Sequence, residues 1–124
     1  MSATEQAVLP LDDLRDTLKR CPKGTYEATV AFREKKDIEQ VPFIVMGIIE
    51  RHLESDQKEV LNTGGDETRL YEDLGVDSLT MLEIVMMTEQ TLELSLDNEE
   101  LKELRTIGDV KTYIDCKIKG VKPP

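Results

Sequence analysis

Apolar residues recur along this chain at helical rather than strand spacing. Near its start, Leu11, Leu14 and Leu18 are spaced i, i+3 and i+7, which predicts one apolar face of a short helix. Pro22 and Gly24 follow and mark the end of that helix, because proline and glycine interrupt helical geometry. The pattern predicts a short amphipathic helix ahead of the rest of the chain.

The next stretch, "GTYEATVAFREKKD", carries signals for both strand and helix. Its apolar residues alternate as they would in a strand: Tyr26, Ala28, Val30 and Phe32. Thr25, however, is a possible N-cap, and Lys35 and Lys36 lie where the last turn of a helix favours positive charge. No other segment offers a partner strand, and an isolated strand would leave its backbone groups unpaired. We therefore interpret the stretch as a helix, with Thr25 as a possible N-cap.

A broader apolar face begins at Pro42, a residue well suited to the first turn of a helix. The face comprises Phe43, Val45, Met46, Ile49 and Leu53. Gly47 lies inside this predicted helix, where glycine costs roughly 1 kcal/mol relative to alanine; close approach of a neighbouring helix is one explanation. The following "SDQKEVLNTGGDETRLYEDLG" is polar, with scattered apolar residues, and is predicted to be a long connection.

Three further helices are predicted after this connection. The first runs from Ser78 to about Leu92. The second is short and begins with Asp97 and Glu100 in a capping-box arrangement, and the third repeats this arrangement with Thr106 and Asp109. The last helix carries a buried stripe: Ile107, Val110, Tyr113, Ile114 and Ile118. The chain is thus predicted to be all-α, with residues 42–120 forming a four-helix bundle of three longer helices and one short one. Residues 1–41 form an N-terminal extension, which we expect to be helical, and residues 121–124 a C-terminal tail.

Charge changes this picture in one respect, because it is unevenly distributed over the 124 residues. Residues 1–40 hold 7 Lys/Arg and 8 Asp/Glu, a net −1, whereas residues 41–124 hold 9 and 18, a net −9. Such an acidic surface repels nucleic acid and favours basic protein partners.

Composition and motif content exclude several other classes of protein. No apolar stretch approaches the roughly 20 residues needed to span a bilayer, and the first residues lack the pattern of a signal peptide. We therefore expect a cytoplasmic, monomeric protein in which Cys21 and Cys116 are reduced. A single His and two distant Cys provide no metal-ligand cluster and no catalytic constellation, so the chain is not predicted to be an enzyme.

The candidate chemistry lies at the mouth of the most apolar helix, in "LGVDSLTMLEIVMM". Asp77 and Ser78 are both good helix-capping residues, and capping is the ordinary explanation for either. One cap suffices, however, so a hydroxyl on Ser78 is left free if Asp77 caps the helix. A helix N-terminus also favours a bound phosphate, because its amides and its dipole attract negative charge. The site therefore suits a serine that carries a phosphodiester.

The segment "LGVDSLTMLEIVMMTEQTLELSLDNEELKELRTIGDVKTYI" resembles the core of an acyl carrier protein. The D-S-L triplet of that family is matched by Asp77, Ser78 and Leu79, and it follows an L-G-x sequence at 74–76. The "LEIVM" run at 82–86, the "LDNEEL" segment and the Thr-x-x-Asp box at 106–109 occur in the family's order. The resemblance covers about residues 42–118 and implies an acyl-carrier-like bundle.

The resemblance also implies a function and a cofactor. Ser78 would carry 4′-phosphopantetheine, transferred from coenzyme A by a phosphopantetheinyl transferase, with Asp77 and Leu79 as motif neighbours. The arm would hold acyl groups as thioesters and present them to acyl-transferring, synthase or ligase enzymes with basic docking patches. The protein itself would carry out no bond chemistry.

One face of the predicted recognition helix is expected to meet these partner enzymes. Its residues are Glu83, Met86, Met87 and Gln90, with Thr80 just before them. Methionine side chains adapt to several partners. Met86 fits the core and the interface equally well, and Met87 fits the interface better. Leu82 and Val85 lie on another side and are predicted to be in the core.

Three departures from the family pattern point to a specialised member. Thr80 and Met81 occupy positions where an acid is common, and Ser95 and Leu96 stand where Ile-Pro is often found. The extension of residues 1–41 has no counterpart in the common pattern. We expect a dedicated fatty-acid, polyketide or lipid-modification pathway. An aminoacyl or peptidyl carrier stays open as an alternative, as does an unmodified helical adaptor in which Ser78 only caps.

Overall fold

The structure is a computed structural model that describes residues 11–120, and the side chains from residue 13 onward. Within this range there are seven α-helices and no strand, which confirms the all-α prediction with a helical extension. The helices are α1 (Leu11–Thr17), α2 (Thr25–Lys35), α3 (Val41–Arg51), α4 (Ser55–Gly64), α5 (Ser78–Leu92), α6 (Asn98–Leu101) and α7 (Ile107–Lys119). Short 3-10 turns at Ile38–Gln40 and Gly65–Glu67 precede α3 and follow α4. The predicted C-terminal tail, residues 1–10 of the predicted extension and the side chain of Leu11 in the first stripe lie outside this description.

The helical interpretation of the ambiguous second stretch is confirmed by α2, but Thr25, the possible N-cap, does not cap it. Gly24 occupies the N-cap with φ of 95°, a left-handed conformation that glycine adopts easily, and Thr25 is already helical. The Thr25 hydroxyl donates instead to the Pro22 carbonyl at 2.7 Å. Thr25, Ala28 and Thr29 are buried at helical spacing, so tertiary packing outweighs the apparent alternation.

The long polar connection after α3 is not a loop, because it contains α4. Glu54 and Gln57 form a capping box at its start, in which the Glu54 amide donates to the Gln57 side chain at 2.9 Å. Leu61 is the one buried residue of α4 and is 2% exposed. The helix is polar overall and contains few apolar residues, which explains why the pattern of apolar positions did not predict it.

The extension and the bundle share one core. Leu14 and Leu18 of the extension are 0% and 3% exposed and belong to the same cluster as Ile44 and Ile48 of α3. Not every apolar residue predicted for α3 lies inward, because Phe43 is 46% exposed. The two cysteines are free and buried.

Arg33 joins the extension to the C-terminal end of α5. Its guanidinium donates to the carbonyls of Thr91, at 3.1 Å, and Gln90, and it pairs with Glu93 at 3.2 Å. The last carbonyls of a helix have no partner within the helix, and a cation there also matches the helix dipole. Burial lowers the pKa of Arg33, and Glu93 opposes that shift. This side chain of the extension therefore satisfies the end of a bundle helix.

Gly47 is explained by the close approach of α2 to α3. A Cβ atom at this position would lie 2.7 Å from the Thr25 hydroxyl oxygen, well inside contact distance. The Thr25 side chain is 1% exposed and is already bonded to Pro22, so it has no free space into which to turn. Glycine at position 47 thus lets the extension pack directly on α3.

Gly47→Ala should destabilise the protein although alanine is the better helix former. Alanine gains roughly 1 kcal/mol in helix propensity. Overpacking against Thr25 should outweigh that gain and leave a net loss of about 1–2 kcal/mol in the free energy of unfolding. Chemical denaturation of the variant measures this loss. In a protein that already carries Thr25→Ala, Gly47→Ala should lower the free energy of unfolding by less than it does in the parent. A Gly47→Ala protein as stable as the parent would contradict this account.

The last two helices differ in how well their caps match the prediction. The Thr106–Asp109 capping box is present, with the Asp109 amide donating to the Thr106 hydroxyl at 3.1 Å. The predicted Asp97–Glu100 box is wrong. The Asp97 carboxylate accepts from the Glu99 amide at 2.8 Å, while the Glu100 carboxylate accepts from Tyr113 of α7. A tertiary hydrogen bond therefore replaces the local one at Glu100.

None of the helices within residues 11–120 is both long and apolar enough to cross a membrane.

Candidate functional site

The loop that leads into α5 is held in place by two buried anchors. Leu74 and Val76 are 0% and 4% exposed, and the Val76 amide donates to the Leu70 carbonyl at 3.0 Å. Between them Gly75 has φ of 67°, and a Cβ there would lie 3.1 Å from the side-chain nitrogen of Gln57. The loop therefore needs glycine at this position, and its anchors fix where α5 begins.

A second set of bonds ties the preceding turn to the start of α7. The Arg69 amide and guanidinium both donate to the Asp73 carboxylate, which holds the pKa of Asp73 below its usual range. The Leu70 amide donates to the Arg105 carbonyl at 2.9 Å, beside an isolated bridge between Arg69 and Thr106. The segment directly before α7 therefore helps to hold the loop that leads into α5.

Asp77, and not Ser78, caps α5. An oxygen of its carboxylate accepts from the Thr80 amide at 2.7 Å, and this bond holds the pKa of Asp77 below its usual range, so the group is ionised at neutral pH. Ser78 is the first residue of α5 and is exposed. Within the described part of the chain, its hydroxyl makes no hydrogen bond. The free hydroxyl expected when Asp77 caps is therefore present at the tip of the molecule.

An apolar stripe extends along α5 away from Ser78. It consists of Leu79, Leu82 and Met86, which are 67%, 52% and 49% exposed and are spaced i, i+3 and i+7. Glu83 is exposed beside the stripe and is the one acid in the first two turns of α5. The exposed surface of α5 beyond Ser78 is therefore mainly apolar, with Glu83 as its one carboxylate within the first two turns.

The residues predicted to form the partner-facing side do not share one exposed face. Glu83 and Met86 are exposed as expected, but Met87 is 9% exposed and lies in the core, so its assignment to the interface is corrected. Thr80 and Gln90 are half-buried, and the Gln90 carbonyl is bonded to Arg33. The core prediction for Leu82 is also wrong, because this side chain lies on the outside.

The extension packs on α5, the helix that carries these residues. Because α2 packs on α5 as α3 does, the buried arc of α5 is wider than a four-helix bundle alone would produce. Thr88 and Thr91 are 4% and 0% exposed although both carry a hydroxyl, and Met87 lies beside them on the helix. The i, i+3, i+7 spacing of Leu79, Leu82 and Met86 indicates in the sequence that these three residues share one face of α5. The sequence does not reveal whether that face or another one packs against the extension.

A groove of about 490 Å³ opens beside Ser78, between α5 and α6. Met81, Leu82 and Val85 form its α5 wall, and Leu101 and Lys102 lie on the α6 side. Tyr71, which the sequence pattern did not assign to the site, lines the groove and is 48% exposed. Ser78 therefore lies at the edge of a partly apolar cleft.

Comparisons with known proteins agree with this geometry. The family model for a phosphopantetheine attachment site matches residues 44–114. An acyl carrier protein of Thermotoga maritima is 34% identical over 74 residues, which are 60% of this chain and 86% of that protein. One of Exiguobacterium sibiricum is 31% identical over 80 residues, 64% of this chain and 96% of that protein. The meromycolate extension acyl carrier protein of Mycobacterium leprae is 46% identical over 48 residues, 39% and 42% of the respective lengths. No solved structure is significantly similar to the chain.

The fold and the matched family model together define a phosphopantetheine-binding carrier domain. The chain belongs to the acyl carrier protein family. Its prosthetic group is accordingly 4′-phosphopantetheine, and the protein is a carrier and not a catalyst. Membership also implies interaction with a phosphopantetheinyl transferase and with acyl-handling enzymes.

Proposed function

We propose that Ser78 is the residue that receives 4′-phosphopantetheine. One observation carries the proposal: at the N-terminus of α5, Asp77 caps the helix and the exposed Ser78 hydroxyl is left free. In the transfer from coenzyme A, the serine oxygen forms the new bond to phosphorus and adenosine 3′,5′-bisphosphate leaves. The N-terminal end of α5 suits the resulting phosphodiester, because its dipole favours negative charge.

Mass spectrometry tests this proposal directly. The full chain is incubated with coenzyme A and a broad-specificity phosphopantetheinyl transferase, and its intact mass is measured before and after. We expect the mass of the intact chain to increase by one 4′-phosphopantetheine group. After digestion, the added mass should be found on the peptide that contains Ser78. An unchanged mass would favour the unmodified adaptor. If the arm is added, loading with acyl groups but not with amino acids distinguishes an acyl carrier from an aminoacyl or peptidyl carrier.

We further propose that residues 42–120 are the carrier domain and residues 1–41 an extension that specialises it. The extension covers one side of α5 and binds its C-terminal end through Arg33, which leaves the first turns of α5 for partners. The pathway follows as a proposal: a dedicated fatty-acid, polyketide or lipid-modification route with its own partner enzymes. The expected cytoplasmic monomer stays a prediction, which cell fractionation and size-exclusion chromatography would check.

Partner enzymes are proposed to dock on the apolar stripe, with Glu83 supplying the charge contact. The net −9 of residues 41–124 supports a partner whose apolar surface is bordered by cations. Thr80 and Gln90 are half-buried and lie at the edge of this surface. The cargo would extend from the arm on Ser78 towards the groove between α5 and α6.

Glu83→Lys should slow the reaction with a partner enzyme without changing the fold. Charge reversal should lower kcat/KM for modification of Ser78 by roughly threefold to tenfold at low ionic strength, which corresponds to about 0.7–1.4 kcal/mol. The difference should shrink in high salt, because screening weakens exposed charge contacts. Glu34→Lys, the same change at an exposed position of the extension, is the matched control. If both variants are modified with the same kcat/KM as the parent, Glu83 does not contribute to the interface with the partner enzyme.

A further inference from the structure

Three side chains that the proposed function does not use tie α6 to α7. The Tyr113 hydroxyl donates to a Glu100 carboxylate oxygen at 2.9 Å and accepts from the Asp97 amide at 3.2 Å. The Lys117 ammonium group pairs with the same Glu100 oxygen at 3.0 Å. Tyr113 thus contacts α6 at its N-cap and again within its single turn.

These polar contacts matter because α6 itself buries little surface, although Leu101 packs against the core. The helix has four residues, and none of them is buried. Leu101 is half-buried, and Leu104, which is 9% exposed, follows the helix. A four-residue helix has too few internal hydrogen bonds to be stable alone, so its position depends on tertiary contacts.

The ionisation states of these groups favour the observed bonds at neutral pH. Lys117 and Tyr113 hold the pKa of Glu100 below its usual range, so the carboxylate is charged and accepts. Burial raises the pKa of Tyr113, so its hydroxyl keeps its proton and donates. The Tyr113 ring is 2% exposed within the core, which fixes the hydroxyl at one point on the surface of α7.

The position of α6 in turn sets the width of the groove beside Ser78. Asn98, Leu101 and Lys102 line one side of that groove, and Met81 and Leu82 of α5 line the other. A shift of α6 away from α7 would therefore move one wall, while α5, which is packed on α2 and α3, stays in place.

We propose that Tyr113 is a positioning residue: with Glu100 and Lys117 it forms a polar latch that holds α6 and keeps the groove beside Ser78 narrow. The role in holding α6 follows from the contacts alone. The role in sheltering cargo rests on the proposed attachment at Ser78.

Tyr113→Phe tests the first role in the full chain without phosphopantetheine. Phenylalanine keeps the buried ring and removes the hydroxyl. We expect amide hydrogen exchange at residues 97–102 to speed up about tenfold or more, the range for a hydrogen bond to a charged group, while the interiors of α3 and α5 change much less. Tyr26→Phe is the matched control, because its hydroxyl contacts Arg15 in the extension. Glu100→Gln, which can still accept from Tyr113, should retain part of the protection.

The proposal is overturned if amide exchange at residues 97–102 of Tyr113→Phe is as slow as in the parent. It is also overturned if the rate there rises only as much as the rate in α3 and α5. The latter pattern would mean that Tyr113 contributes to global stability alone.

The second role is tested on the protein carrying an octanoyl thioester. Hydroxylamine should release the octanoyl group several times faster from Tyr113→Phe than from the parent or from Tyr26→Phe. Equal release rates would overturn the sheltering role. Failure of Ser78 to take up phosphopantetheine would refute the proposed function instead, and the exchange experiment on the unmodified chain would still decide whether Tyr113 holds α6.

Discussion

Replacing Ser78 with alanine should abolish attachment of phosphopantetheine and leave the fold intact. Ser78 is exposed and its hydroxyl has no partner within residues 11–120, so its loss removes no internal contact. Asp77 continues to cap α5 through the Thr80 amide. Intact mass after incubation with coenzyme A and the transferase should stay that of the unmodified chain, while circular dichroism and the melting temperature match the parent.

Two control variants make this result specific. Ser95→Ala removes an exposed serine from the loop after α5 and should be modified as fully as the parent. Asp77→Ala removes the cap and should reduce stability by about 1 kcal/mol while Ser78 remains available. Attachment that persists in Ser78→Ala, or that moves to another serine, contradicts the proposal for Ser78.

Leu14→Ala should lower the free energy of unfolding by about 2–5 kcal/mol, a large effect for one side chain in a proposed extension. Leu14 is 0% exposed and lies in the same core as the helices of the carrier domain. Its truncation leaves a cavity between the extension and the bundle, and urea denaturation would measure the loss.

Leu79→Ala is the matched control for this prediction. Leu79 also lies in a helix but is 67% exposed, so its truncation should change stability by no more than about 0.5 kcal/mol. Ser78 should still be modified in Leu14→Ala below its melting temperature. A Leu14→Ala protein as stable as Leu79→Ala would show that the extension does not pack on the bundle in solution.

Two capping signals in the sequence are not realised in the structure, and the physical reasons differ. At Asp77 and at the Thr106–Asp109 box, both bonded groups lie within three residues, and no distant group competes for them. Thr25 bonds backwards to Pro22, because Gly24 takes the left-handed conformation and becomes the cap. Glu100 is drawn away from its own helix by Tyr113 and Lys117, which a local motif does not reveal.

The start and end of α5 were determined by the sequence itself, which also offered Asp77 as a cap that would leave the Ser78 hydroxyl free. Helical spacing and capping depend on residues three or four positions apart, so a short stretch contains all the groups that decide them. The side of α5 that faces outward was decided only by tertiary structure. Leu82 and Met87 are both apolar, and nothing local distinguishes them. In the structure, where α2 and α3 both pack on α5, Met87 is buried and Leu82 lies on the surface next to Ser78, because burial depends on which helices surround a side chain.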